Sequence, residues 1–174
     1  KEPPNWRDSA RFVEFTEKGP IPPSFDWRSR TPGGMPPVRN QGGCGSCWAF
    51  SAIGSFECAI KIQDGINVDL AEQWLVSCNR HGWGCRGGWW AHDYLCYIGD
   101  KCDSIGAVLE QDYPYTASDA TCSCPDPHPY KAKSWGYIGS ASGVPSTPMI
   151  KLAIMQHGPI SVAVAVEDRQ STRL

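Results

Sequence analysis

The sequence predicts an α+β protein in which a buried helix comes early and a strand comes late. Two patterns carry that prediction. From Cys47 onward Ala49, Ile53, Phe56 and Ile60 recur at helical spacing, and near the end Val162, Val164 and Val166 alternate with Ala163 and Ala165. A third observation sets the character of the fold: nine cysteines, eighteen glycines and fifteen prolines among 174 residues describe a loop-rich, oxidised chain stapled by disulfides. The odd cysteine count leaves at least one thiol outside any internal pairing, and spacing alone leaves on the order of a hundred connectivities open. Hydrophobic residues at 41% and charged residues at 20% belong to a chain that folds, and a net charge of −2 offers no basic face to nucleic acid or an anionic membrane. The longest apolar stretch, around 160–166, is far short of the ~20 residues a membrane helix needs.

Residues 1–20, with Trp6, Arg11, Phe12, Phe15 and Glu17, show no clear period and stop at Gly19-Pro20, which marks them as an arm or a pro-segment remnant. The folded domain is expected over 21–174. Gly, Pro and Arg dominate 29–43, a loop that runs up to Cys44. The helix that follows from Cys47 is apolar nearly all round, interrupted by Glu57 and Lys61, and should stop near Asp64-Gly65. A short helix is expected over Leu70–Ser77 with Asp69 as its cap, and a third over Trp89–Tyr97. Between them, the glycines of Gly82-Trp83-Gly84-Cys85-Arg86-Gly87-Gly88 permit sharp turns and close backbone approach. The stretch 112–148 reads as irregular except for a short strand over Lys133–Ile138, and a last helix is expected over Met149–Met155.

The chemistry concentrates at Gln41-Gly42-Gly43-Cys44-Gly45-Ser46-Cys47-Trp48-Ala49-Phe50. A cysteine in the first turn of a buried helix lies among unpaired N–H groups and the positive end of the helix dipole, where an anion such as a thiolate is stabilised. A thiolate attacking a peptide carbonyl generates an oxyanion that needs donors. The Gln41 amide and the Cys47 backbone N–H are placed to supply them. Cys44-x-x-Cys47 alone also fits a redox dithiol or half a zinc site, but no thioredoxin-like context and no second pair at ligand spacing accompanies it. No metal and no cofactor is expected.

Cys44-Gly45-Ser46-Cys47-Trp48 is the local signature of the papain/cathepsin group of cysteine proteases, and the rest of the chain resembles that family in order. Phe25-Asp26-Trp27-Arg28 is similar to its mature N-terminal segment, and Val38-Arg39-Asn40-Gln41 to its approach to the nucleophile. Leu70-Ala71-Glu72-Gln73-Trp74-Leu75-Val76-Ser77-Cys78, Gly84-Cys85-Arg86-Gly87-Gly88, Asp112-Tyr113-Pro114-Tyr115 and Gly158-Pro159-Ile160-Ser161-Val162 resemble further family segments, so that the likeness covers 21–166. It implies a two-domain papain-like fold with a complete helical left domain and only the start of the sheet-rich right domain. It also implies Cys47 as nucleophile, Gln41 in the oxyanion hole, Gly87 and Gly88 as the backbone that binds extended substrate, and Trp89, Trp90 and Ala163 lining the main specificity pocket. The family usually has a smaller aliphatic or proline residue where Trp90 stands, so a restricted or reshaped pocket is expected. The same resemblance pairs Cys44 with Cys85 and Cys78 with Cys122. Cys96 and Cys102 are close enough in sequence to staple a local loop, which leaves Cys58 and Cys124 as a fourth pair or as thiols.

A protease of this kind needs a histidine base, which in the family follows the nucleophile by about 130–150 residues and is itself followed by an orienting asparagine. Counted from Cys47, that window opens beyond Leu174, and His81, His92, His128 and His157 occupy none of the positions required. The domain is therefore expected to be incomplete at its C-terminal side, with histidine and asparagine coming from sequence outside this chain, such as a second chain. The expected function is a thiol-dependent peptidase acting through an acyl-enzyme on a peptide or protein substrate, with a pro-segment or protein inhibitor as further occupant of the groove. The alternative is a non-catalytic relative, binding, inhibitory or structural, that keeps the groove without the base. Disulfides point to a secreted or lysosomal/vacuolar route.

Overall fold

The computed structural model describes residues 12–13, 20–139 and 143–164. Its centre is helix α1, Cys47–Asp64, which buries Trp48, Ala49, Ala52, Ile53 and Ile60. Gly65 ends it in the left-handed conformation at φ 73°, its N–H returning to the Lys61 carbonyl. Helix α2, Glu72–Cys78, lies against α1 and contributes Trp74 and Leu75 to one contiguous core with Tyr94, Leu95, Ala107 and Val108. Trp74 is completely buried, and its indole nitrogen is satisfied by Asp100 Oδ2 at 2.7 Å. The C-terminal helix α3, Thr147–His157, returns to the N-terminal segment, where the Trp27 indole donates to the Ile154 carbonyl at 2.7 Å. The two short strands, β1 (Phe12–Val13) and β2 (Tyr137–Ile138), pair in parallel.

Several elements differ from expectation for identifiable reasons. α2 begins two residues later than expected because Asp69 does not cap it: its carboxylate pairs with Arg39 at 2.7 Å, while Leu70 forms an antiparallel bridge with Leu109. The helix expected over Trp89–Tyr97 is only a 3-10 turn, His92–Leu95. The Asp93 carbonyl collects the N–H groups of Cys96, Tyr97 and Ile98, so the hydrogen-bond ladder closes on itself instead of advancing. Helix α3 is longer than its apolar period suggested, because Ser146 caps it through Met149 N and Pro148 occupies the first turn, where its missing N–H costs nothing. The strand at Lys133–Ile138 contracts to Tyr137–Ile138. The strand expected over Val162–Val166 does not form across 160–164, where Val162 and Val164 are 59% and 73% exposed, and its last two residues lie outside the described ones, as do most of the arm and the tail after 164. What the chain holds is the helical part of a papain-like α+β fold.

The disulfides are Cys44–Cys85, Cys78–Cys122 and Cys102–Cys124. Cys96 is not bonded to Cys102. Lys101 N donates to the Cys78 carbonyl and Asp100 accepts from Cys102 N and Ser104 N, which carries Cys102 to the end of α2 beside Cys122 and Cys124. Cys96 stays on the 3-10 turn, its Sγ facing the His92 carbonyl at 3.6 Å. Cys58 remains a thiol on α1, pushed up to about 11 by burial and by neighbouring Glu57.

Candidate active site

Cys47 is the first residue of α1 and is exposed, where the first of two linked loops runs into the helix. The first loop, 40–46, is held by its own side chains. Asn40 Oδ1 accepts from Gly42 N at 2.9 Å, and Gln41 Nε2 donates one of its two protons to the Cys44 carbonyl at 2.8 Å. The other proton stays available on the same amide. The second loop, 84–88, is joined to the first by the Cys44–Cys85 bond and by Gly45 N donating to the Cys85 carbonyl at 2.8 Å. A β-carbon on Gly45 would lie 2.5 Å from that carbonyl oxygen, so only glycine permits the approach. The Gly84 and Gly87 backbones pair with each other, and Trp48 reaches from α1 to donate its indole proton to the Gly84 carbonyl at 3.2 Å. Its ring occupies the place a Gly88 side chain would need, 2.5 Å from the nearest ring atom. The segment that carries Gln41 and Cys47 is thus tied to the loop that carries Gly87 and Gly88.

Trp89 and Trp90 follow directly, ring centroids 5.7 Å apart. Trp90 is packed against His92 at 6.3 Å and Tyr137 at 6.2 Å, so an aromatic wall continues the second loop. Ala163 is exposed, two residues beyond Ser161, which is anchored to α1 by donating to the Ser51 carbonyl at 2.8 Å. Since that proton is used, Ser161 Oγ accepts from His92 Nε2 at 3.0 Å, which fixes the tautomer and leaves His92 Nδ1 a buried acceptor with no hydrogen-bond partner among the described residues. Burial accordingly lowers the His92 pKa to about 4. His92 also meets Ser55, two helical turns along α1 from Cys47, roughly 12 Å by the helical rise. His81 stacks on Trp83 and meets the Tyr94 hydroxyl, His128 is spanned by the Gly106 and Pro125 carbonyls, and His157 ends α3.

Sequence reasoning missed Ser46 and Tyr115. Ser46 caps α1 by position, yet its side chain makes no capping bond; its Oγ meets the Tyr115 hydroxyl at 2.5 Å, and that hydroxyl donates to the Gln41 carbonyl at 2.8 Å. The Tyr-Pro-Tyr stretch was visible as a family marker, but no spacing rule places residue 115 against residue 41. Asp119 was also missed, accepting from Cys85 N at 2.6 Å beneath the second loop. The sulfurs of Cys102, Cys122 and Cys124 lie within 4.8 Å of one another, but each is spent in a disulfide and none is a thiolate ligand.

A cysteine at a helix start, a side-chain amide six residues before it and a glycine-edged loop bonded to the same segment are thus carried on a helical domain. The chain belongs to the papain family of cysteine proteases, whose model matches residues 21–173. It is 39% identical over 166 residues to digestive cysteine proteinase 1 of the lobster Homarus americanus, covering 94% of this chain and 48% of that protein. Among solved structures it is similar to digestive procathepsin L2 from Tenebrio molitor larval midgut (TM-score 0.63, 34% identity, 78% of this chain and 44% of the other). It also resembles the Carica candamarcensis cysteine protease CMS1MS2 in complex with E-64 (TM-score 0.55, 38% identity, 65% of this chain and 51% of the other). The chain spans about half the length of the curated relatives it matches.

Proposed function

We propose that the protein containing this chain is a thiol-dependent endopeptidase in which Cys47 is the nucleophile. The loop geometry supports this reading most directly: the Gln41 amide, anchored by one proton to Cys44 O, keeps its other proton available on the short segment that leads into the helix start at Cys47. The Cys47 sulfur adds to the scissile carbonyl carbon, and the carbonyl electron pair moves to oxygen, where the Gln41 N–H and the Cys47 backbone N–H meet it. The histidine base takes the Cys47 thiol proton, and collapse expels the amine, which picks up that proton from the imidazolium and leaves a thioester that water hydrolyses. That histidine and its asparagine come from sequence outside this chain. Gly87 and Gly88 hold the extended substrate through their backbone, and Trp89, Trp90 and Ala163 border the pocket for its principal side chain.

The arm over residues 1–20 acts as the end of a pro-segment ahead of the peptidase domain. The parallel pairing of β1 with β2 supports this, since it sets residues 12–13 against Tyr137, a ring of the aromatic wall. Protein substrates, and a pro-segment or protein inhibitor, are the partners this cleft fits. Disulfide content supports a secreted or lysosomal/vacuolar route, and among the described residues no helix is long and apolar enough to cross a membrane.

The test is reaction of the natural, full preparation with an epoxide-type peptide inhibitor at mildly acidic pH, read by intact mass and peptide mapping. One adduct on Cys47, abolished by Cys47→Ser together with hydrolysis of a fluorogenic peptide, is the expected result. Folded protein with reduced Cys47 that takes no label would instead be a groove-bearing protein that does not cleave peptides.

A further inference from the structure

We infer that Tyr115 is a positioning residue for the oxyanion donor: its hydroxyl holds the Gln41 backbone, and with it the Gln41 amide, in register with Cys47. The inference rests on the peptidase reading and extends it to a residue outside the cleft. The hydroxyl has one proton, and the 2.8 Å bond to the Gln41 carbonyl takes it. Tyr115 Oη is then the acceptor for Ser46 Oγ–H at 2.5 Å, a far shorter contact than the 3.5 Å from the same serine to the Cys44 carbonyl. Residue 41 and the residue immediately before Cys47 are therefore tied to one oxygen atom, so the spacing between donor and nucleophile is set across the loop as well as along it.

The tyrosine is itself well held. Its ring meets Phe50 of α1 edge to face at 4.9 Å, and its N–H donates to Glu110 Oε1 at 2.7 Å. The next residue, Thr116, donates from both N–H and hydroxyl to Gln73 Oε1 on α2, and Gln73 Nε2 donates on to the Ser118 carbonyl at 2.9 Å. Gln73 is 1% exposed, so α2 supplies a rigid support for the loop that carries the clamp. The same loop touches the first cleft loop a second time, where a β-carbon on Gly42 would meet Ala117 Cβ at 3.4 Å. Catalysis is sensitive to such support because an oxyanion donor acts only at the place where charge develops, and a shift of about 1 Å costs up to ~100-fold in rate.

A merely structural tyrosine and a positioning one differ in what they disturb. Alkylation of Cys47 by iodoacetamide displaces iodide at carbon and forms no oxyanion, whereas acylation by a peptide anilide does. In the natural full preparation, Tyr115→Phe should lower kcat for the anilide about tenfold with KM little changed, and leave the alkylation rate within about twofold of wild type. In a Gln41→Ala background the same substitution should have almost no further effect, since the group it positions is gone. Ser46→Ala, which removes only the proton donor to the tyrosine oxygen, should give the same pattern at smaller amplitude and serves if the phenylalanine variant does not fold. Parallel losses in both reactions, or a tenfold loss that persists on Gln41→Ala, would overturn the inference while leaving the peptidase reading intact. Wild-type protein inert in both reactions would overturn both.

Discussion

Trp90 is larger than the residue the family resemblance leads one to expect at its position, and its surroundings determine whether the departure matters. An exposed tryptophan could swing aside for a substrate. Trp90 is held by three rings, Trp89 at 5.7 Å, Tyr137 at 6.2 Å and His92 at 6.3 Å, and the last of these is itself stacked on Trp135 at 5.0 Å. Edge and tilted contacts of this kind add about 0.5–1.5 kcal/mol each beyond burial, so rotating the indole out of the way opposes several of them at once. The pocket bordered by Trp90 is therefore expected to select small side chains. A peptide library read for the position that meets Trp90 should favour alanine or valine over leucine and phenylalanine. Trp90→Ala should shift that ratio toward bulky residues by about tenfold or more in kcat/KM, the scale on which a few methylenes discriminate. An ordinary preference for bulky apolar residues in the unaltered protein would count against the argument.

At the scale of elements, α1 carries a second feature besides Cys47: a carboxylate turned into its packed face. Glu57 is 2% exposed and accepts from Leu70 N at 2.8 Å, and Glu72 at the start of α2 is 4% exposed beside it. Burial pushes both carboxyls up to about 7, more than the Leu70 N–H lowers Glu57. A carboxyl with a folded pKa above its ordinary 4.5 contributes stability that is fully present below 4.5 and is lost as pH rises through 7, because the folded state holds the proton longer than the unfolded chain. His92 acts in the opposite sense, with stability present above its ordinary 6.5 and lost as pH falls toward 4. The two effects separate by substitution. Glu57→Gln keeps the acceptor for Leu70 N and removes only the titration, so it should leave the melting temperature nearly unchanged at pH 4.5 and raise it by several degrees at pH 8. A gain of the same size at both pH values would show that the carboxylate is not what titrates.

For the whole molecule, what could be read from the sequence follows the range of the interactions. α1 was legible because Ala49, Ile53, Phe56 and Ile60 repeat within one element, and Cys47 and Gln41 stood out because both lie on a single short segment. The bonds Cys44–Cys85 and Cys78–Cys122 came from resemblance alone. The Cys102–Cys124 bond and the Tyr115 clamp were not legible, since each depends on loops folded over α2 by Lys101, Asp100 and Gln73. The arm carries another long-range feature: β1 pairs in parallel with β2 across more than a hundred residues, Phe12 with Tyr137 and Val13 with Ile138. Tyr137 also packs against Trp90, so the pairing brings residues 12–13 to the strand beside that wall, and a pro-segment held there is expected to compete with a substrate for approach to it. Two strand residues make few hydrogen bonds, and an isolated pair of this length is marginal in water, so the arm should be held weakly and released readily. Cleavage after residue 20 should therefore raise the rate at which an epoxide inhibitor labels Cys47, by several-fold or more, without altering the melting transition of the helical domain. Pro-form preparations brought to acidic, reducing conditions should lose residues 1–20 as activity appears, followed by N-terminal sequencing against time. An active protein that keeps its N-terminus intact, with labelling as fast as in the trimmed form, would show that the arm is an ordinary surface extension rather than a guard on the cleft.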